Sequence, residues 1–377
     1  MKILYGLYAV FSTGFNLVWK ILPAFLAAFL GAFDISLIFT AFYASRVFII
    51  PIGMTSDKIG AVKSIRLSFS LTILMILGFL FFFGVKSLTG WIVFALVAGV
   101  IVNLIEIAAS AIAAREKKKT KALFGLESMY QVGVVLGPIL GGLLASAFGM
   151  EAALLTWAVL NIFGIFTTSK LNIKTEKKER ASSGLLSAIK EKKFLFVMVL
   201  LVGSFLVGFL QAMQELVLPL FAKEIGFDIA QIGLIIGLAS LITIFGLLVI
   251  GKKVDRLPRF HLLLIFFLLM LSFPLIVPIF NDFITLTIIG GIFLIGRASN
   301  LNISRGFFSE FSDKYKATAI GIGETVYYLS RSVGSASTGL LIKDVGYTGT
   351  LFSMVLVTLV AIIGSVVLIV YSRRKKF

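Results

Sequence analysis

The chain has 377 residues, 59% hydrophobic and 14% charged, with 37 Phe and a mean hydropathy of +1.06. Ordinary globular domains are roughly a quarter charged, so this composition cannot cover water-soluble domains with polar surface and belongs to a polytopic membrane protein. The net charge is +17, and with no Cys and one His the sequence excludes disulfides, thiolate metal sites and a His-cluster relay.

Apolar runs long enough to cross a hydrocarbon layer of ~30 Å recur between short polar breaks. The first, Ile3–Phe29, starts almost at the N-terminus and has no A-x-A-like cleavage site, so it reads as a span and not as a removed signal peptide. Ile35–Met54, Ile65–Phe83, Trp91–Ala114, Ala122–Phe148 and Ala152–Ser169 are spans two to six. The longest hydrophilic stretch, 172–193, follows and reads as a solvated tether with a short amphipathic helix. Phe194–Phe221, Ile229–Ile250, Leu262–Phe280, Phe283–Ile303, Ala317–Ile342 and Thr348–Tyr371 complete spans seven to twelve. The expected fold is therefore all-α, with twelve transmembrane helices in two pseudo-symmetric six-helix bundles. The expected domains are 1–171 and 194–377, joined by the linker 172–193.

Charge is distributed unevenly among the loops. The N-terminus, every second loop and the C-terminal tail hold 28 Lys and Arg, while the opposite loops hold only Lys86, Lys223 and Lys343. By the positive-inside bias both termini are cytoplasmic, as an even number of spans also requires, in a multi-pass protein of the cell membrane. The excess of positive charge thus encodes orientation and an affinity for anionic lipid, and it is not a nucleic-acid footprint.

The two halves repeat each other. Gly53-Met-Thr-Ser-Asp57-Lys58-Ile-Gly60 after span two returns 198 residues later as Gly251-Lys-Lys-Val-Asp255-Arg256 after span eight. An offset of 197 pairs Glu127 with Glu324, Tyr130 with Tyr327 and Gly137 with Gly334. Parallel six-helix repeats are one transporter layout. With these motifs the sequence resembles the major facilitator superfamily over its whole length. The family signature after span two is roughly G-x-x-x-D-R/K-x-G-R-R/K, matched by Gly53, Asp57, Lys58, Gly60 and Lys63, while Ala61 and Val62 depart from it. The resemblance implies a cytoplasmic latch formed by Gly53, Asp57, Lys58, Gly60, Asp255 and Arg256.

Span five carries Gly133-Val-Val-Leu-Gly137-Pro138-Ile-Leu-Gly141-Gly142, similar to the G-x-x-x-G-P-x-x-G-G motif of the drug:proton antiporter branch. The glycines admit a close helix neighbour and Pro138 permits a kink. That branch also has an Arg in span four, in a pattern like R-x-x-Q-G. No Arg precedes Arg115 here, which implies different coupling or none.

Ionisable residues inside a membrane are costly and mark function by default. The spans contain Lys20, Arg46, Glu106, Glu127, Glu215, Arg297, Glu324 and Arg331, four of each sign. The resemblance places spans one, four, seven and ten around a central cavity. Its candidate lining is Asn16 and Lys20, then Asn103 and Glu106, then Gln211, Gln214 and Glu215, then Arg297 and Asn300. Arg46 and Arg331 are expected partners of buried carboxylates. A carboxylate in apolar surroundings disfavours its charged form and can carry a proton, so Glu106, Glu215 and Glu324 are the proton-coupling candidates.

The expected function is a secondary transporter moving a small organic solute by alternating access, proton-coupled and of efflux type. It is expected to act as a monomer, with H+ as coupling ion and no metal or other cofactor. An importer or facilitator of a metabolite on the same fold is the first alternative, and a non-transporting sensor or scaffold the second. No G-x-x-x-x-G-K-[ST] sequence supports an ATP-driven pump, and no nucleophile–base or metal constellation supports an enzyme.

Overall fold

The computed structural model describes residues 1–113, 119–171, 193–251, 258–310 and 316–375, and the regular elements among them are all helical. Its contacts form two compact units, Met1–Lys178 with Pro219–Leu238, and Glu179–Leu218 with Ala239–Phe377.

In the first unit α1 (Lys2–Trp19) and the single turn α2 (Leu22–Leu26) replace the continuous first span. The interruption has a local cause. Pro23 has no N–H to offer the carbonyl of Trp19, and its ring crowds that carbonyl. Span two is likewise divided, into α3 (Ala32–Arg46) and α4 (Ile49–Ile59). Pro51 stands in the same relation to Val47, the residue that follows the last of α3 and caps it. The unit continues with α5 (Ala61–Phe82), α6 (Leu88–Ala113), α7 (Lys119–Phe148) and α8 (Met150–Thr168). Here α1 packs on α7 and α8, α3 on α6, and α5 on α6 and α8. An aromatic cluster fills the centre, where the Trp19 ring lies 4.1 Å from Phe42 and 4.7 Å from Phe39.

The second unit begins with α9 (Lys193–Val199), which passes through a π-helical stretch at Leu200–Leu206 into α10 (Val207–Glu224). Residues 219–224 of α10, and α11 (Ile229–Gly251) as far as Leu238, belong to the first unit, and the rest of α11, α12 (Arg259–Ile276) and α13 (Phe283–Glu310) to the second. The run α14 (Lys316–Lys375) holds both of the last expected spans. Its apolar part is 53 residues long, about 80 Å of helix and far more than one crossing needs. It turns at Gly346, whose φ of 69° is strained for any residue with a β-carbon. Ten described helices are long and apolar enough to cross a membrane. The difference from twelve arises because α14 holds two crossings and because α3 and α4 are each too short.

Large apolar side chains such as Phe81, Phe166, Phe245 and Ile363 are exposed on the outer faces. A surface of this kind is stable against lipid and not against water.

At the start of α13, Asp282 Oδ1 accepts hydrogen bonds from the backbone N–H of Ile284 and of Thr285, both at 3.0 Å. Its Oδ2 accepts from the Thr285 hydroxyl at 2.6 Å. That hydroxyl first, and the backbone donors with it, hold the carboxyl below its usual range. A depressed folded-state value means the cap stabilises α13 above the unfolded value of about 3.9 and is lost as pH falls through the folded one. Asp282→Ala is expected to lower Tm at neutral pH, with the difference from wild type shrinking in Tm scans taken toward acid pH.

Candidate functional site

The first unit holds one polar cluster on α3 and α6. Arg46, 4% exposed, ends α3, and its Nε donates to Asn103 Oδ1 at 3.0 Å. The guanidinium forms an ion pair with Glu106, one turn further along α6. Asn103 Nδ2 returns a hydrogen bond to the Arg46 carbonyl at 3.1 Å, and the Phe42 ring lies 5.8 Å from the guanidinium. The close approach is possible because Gly99 leaves room for Ser45 and the α3 backbone. Each polar group thus holds another in place, which is how a charge is tolerated among apolar helices.

On α1, Asn16 Nδ2 donates to the Ser12 carbonyl at 2.8 Å, and Ser12 Oγ donates to the Tyr130 carbonyl on α7 at 2.7 Å. The buried Asn16 Oδ1 has no hydrogen-bond partner among the described residues. Lys20 lies at the break between α1 and α2, where a cation is favoured by the C-terminal end of the helix dipole.

The second unit builds a similar cluster from different helices. Glu215 on α10 and Arg331 on α14 form an ion pair, with side chains 8% and 9% exposed. Gln211 Nε2 donates to Glu215 Oε1 at 3.0 Å, and the Tyr327 hydroxyl donates to Gln211 Oε1. The Tyr327 ring lies 5.5 Å from the Arg331 guanidinium. Gln214 is buried beside them on α10. Glu324 pairs with Arg305 at 2.6 Å. Arg297 and Asn300 lie on α13, and Asn300 donates Nδ2 to Met270 Sδ at 3.8 Å.

Arg46 thus meets the half-buried Glu106 and Arg331 meets Glu215, and Asn103 lies with Glu106 and Gln211 with Glu215 in these two clusters. Sequence reasoning missed Arg305. Span ten was ended at Ile303, which placed Arg305 among the cytoplasmic charges, whereas α13 continues to Glu310. Glu127 is exposed and accepts from Gln131 Nε2 at 2.9 Å, one turn away on the same helix.

Of the expected latch, Gly53 and Lys58 lie on α4, and Gly60 ends it at φ 90°. Asp57 lies on α4 as well, and Asp255 and Arg256 fall outside the described residues.

The span-five glycines have a packing role. Gly133, Gly137 and Gly141 face α1, over Ser12–Thr13, Asn16–Leu17 and Leu17 respectively. Gly142 and the Pro138 carbonyl meet the backbone of Ile229–Gly233. The second unit repeats the first of these contacts, with Gly334 of α14 over the Phe209 carbonyl of α10.

Sequence comparison agrees with this architecture. The Major Facilitator Superfamily profile matches residues 4–334 and, in a second alignment, 200–376. The chain belongs to the Major Facilitator Superfamily. Membership makes it a membrane transporter and not an enzyme. A search of curated proteins gives no significant match.

Solved structures of this superfamily share the fold at low identity. The nucleoside transporter NupG, in a point-mutant form, aligns at TM-score 0.74 and 15% identity over 97% of this chain and 98% of its own. A bacterial homologue of the human lysosomal transporter Spinster, inward-facing and unoccupied, gives TM-score 0.73 and 16% identity over 98% and 96%. The human organic anion transporter MFSD10 gives 0.69 and 15% over 97% and 98%.

Proposed function

We propose that the chain is a secondary active transporter of a small organic solute, working by alternating access between two six-helix bundles, 1–171 and 194–377. In this reading it acts as a monomer in the cell membrane with both termini cytoplasmic, supported by the 27 Lys and Arg left on one set of loops once Arg305 is placed on α13, 28 − 1, against three on the other. The observation that carries the coupling is the pair of Glu–Arg clusters, Arg46–Glu106 in one unit and Glu215–Arg331 in the other. Protonating either glutamate removes the charge that holds its arginine, and a released guanidinium must find a new partner. A proton gradient can thereby bias two arrangements of the same helices. Glu324 with Arg305 is a third site of the same kind.

Export is supported by the span-five motif alone, and the packing contacts of its glycines account for that motif without reference to direction. The similar structures include a nucleoside transporter and an organic anion transporter, which suits a small polar solute. A facilitator without proton coupling is the second reading, favoured by the absence of any Arg on α6.

In proteoliposomes an imposed pH gradient should drive solute accumulation by wild type. The Glu106→Gln, Glu215→Gln and Glu324→Gln variants test the coupling one site at a time. At least one should lose driven accumulation and retain counterflow, whereas undiminished driven accumulation in all three would leave the facilitator reading.

A further inference from the structure

Three intramembrane arginines have a carboxylate, namely Arg46 with Glu106, Arg331 with Glu215 and Arg305 with Glu324. Arg297 does not. Among the described residues it has no ion pair, hydrogen bond or aromatic face, and its Nε is buried without a hydrogen-bond partner. It lies halfway along α13 (Phe283–Glu310), about 21 Å from the first residue of the helix.

The contacts of α13 at this level define which way Arg297 faces. Gly296 packs on the Phe266 carbonyl and Met270 of α12, and Asn300 bonds Met270. Thr243 of α11 donates to the Gly291 carbonyl at 3.3 Å, and Ile295 covers Gly246 of α11. Arg297 makes none of these contacts. It shares a stripe with Gly290, Leu294 and Leu301, and Gly290 lies near Ala239 of α11 and Leu218 of α10. The flanking Leu294 and Leu301 are buried, and Arg297 between them is half-buried.

A guanidinium stays charged at any physiological pH, so the site cannot shed its charge as a lysine would. A charge at this depth without a counter-charge is unfavourable, and the described residues supply none. Nor is the residue a remnant of the duplicated framework. The repeat offsets of 197 and 198 place Val100 and Gly99 at the equivalent point of α6, both apolar.

We propose that Arg297 recognises the transported solute, and that this solute is a small organic oxyanion, a carboxylate, sulfonate or phosphate on an apolar body. The five donors of the guanidinium fork match such groups in bidentate fashion, and Leu294 and Leu301 take the apolar part. The assignment rests on the transporter reading above.

The intact protein in lipid nanodiscs is titrated with naphthoate, naphthalenesulfonate and naphthyl phosphate. Neutral naphthamide and cationic naphthylmethylammonium serve as controls on the same ring system. At least one oxyanion should bind wild type and bind it more tightly than either control. Arg297→Gln should weaken that oxyanion by about tenfold or more, the least expected for a lost charge-assisted hydrogen bond. Arg297→Lys should fall between, since it keeps the charge and loses the fork. Without ligand, Arg297→Gln should melt at or above the wild-type Tm, because it leaves no partner uncompensated.

The proposal is overturned if Arg297→Gln binds the oxyanion as wild type does, if a control is preferred, or if no oxyanion binds. It is also overturned if ligand-free Arg297→Gln loses as much Tm as Arg331→Gln, which marks a structural role. Flux separates it from the reading on which it rests. Oxyanion binding without flux in proteoliposomes removes the transport reading alone, and flux of a cation indifferent to Arg297→Gln removes the assignment alone.

Discussion

Arg331→Gln should destabilise the purified protein by about 3–5 kcal/mol, the loss expected when one member of a buried ion pair is removed. The Arg331 and Glu215 side chains are both under a tenth exposed, so the orphaned Glu215 carboxylate has little water to fall back on. Gln211 and Tyr327 remain on that carboxylate's side of the cluster and do not replace the charge. The double variant Glu215→Gln/Arg331→Gln should recover most of the loss, because two neutral amides leave no unpaired charge. Unfolding midpoints of the two single variants and the double variant give the coupling directly. Additive losses would show that the pair is not a unit. Arg305→Gln is the internal contrast. Its side chain is 40% exposed, and solvent screening should hold its effect to about 1 kcal/mol or less.

Gly137→Val should be strongly damaging to packing in the first unit. A β-carbon at 137 would stand 2.7 Å from Asn16 Cβ and 2.8 Å from the Asn16 carbonyl carbon. The obstacle is largely backbone, which cannot rotate away, so the cost should reach or exceed the upper end of the ~1–3 kcal/mol usual for overpacking. The displacement would also pull Ser12 from the Tyr130 carbonyl, the hydrogen bond that ties α1 to α7. Gly78→Val is the matched control, since a β-carbon there meets nothing within 4 Å. Size-exclusion profiles and Tm should show a large loss for the first and little change for the second. A Gly137→Val protein as stable as the control would mean that α1 and α7 can separate without penalty.

The helical, membrane-spanning character was legible because apolar runs of bilayer length are separated by charged loops, and lipid admits few other solutions. Arg46 and Arg331 were legible as partners of carboxylates because an unpaired charge at that depth is so unfavourable. Which carboxylate each meets was not legible. Arg46 finds Glu106 across 60 residues and Arg331 finds Glu215 across 116, and helix neighbours at that separation are set by packing. The breaks after Trp19 and Arg46 could have been found. Pro23 and Pro51 each follow four residues after the carbonyl they leave unbonded, and a run of high hydropathy conceals them. The span-five motif showed that a helix would come close. Its contacts with α1 and with Ile229–Gly233 show which ones do.

The three ion pairs also set their own response to voltage. A neutral pair carried through the membrane field does no net electrical work, while one elementary charge carried across it exchanges about 2.3 kcal/mol per 100 mV. With their glutamates ionised, Arg46–Glu106, Arg331–Glu215 and Arg305–Glu324 are each electrically silent. A proton taken up by one of them turns that pair into a single positive charge. The membrane potential then acts on a protonated pair and leaves an ionised pair untouched.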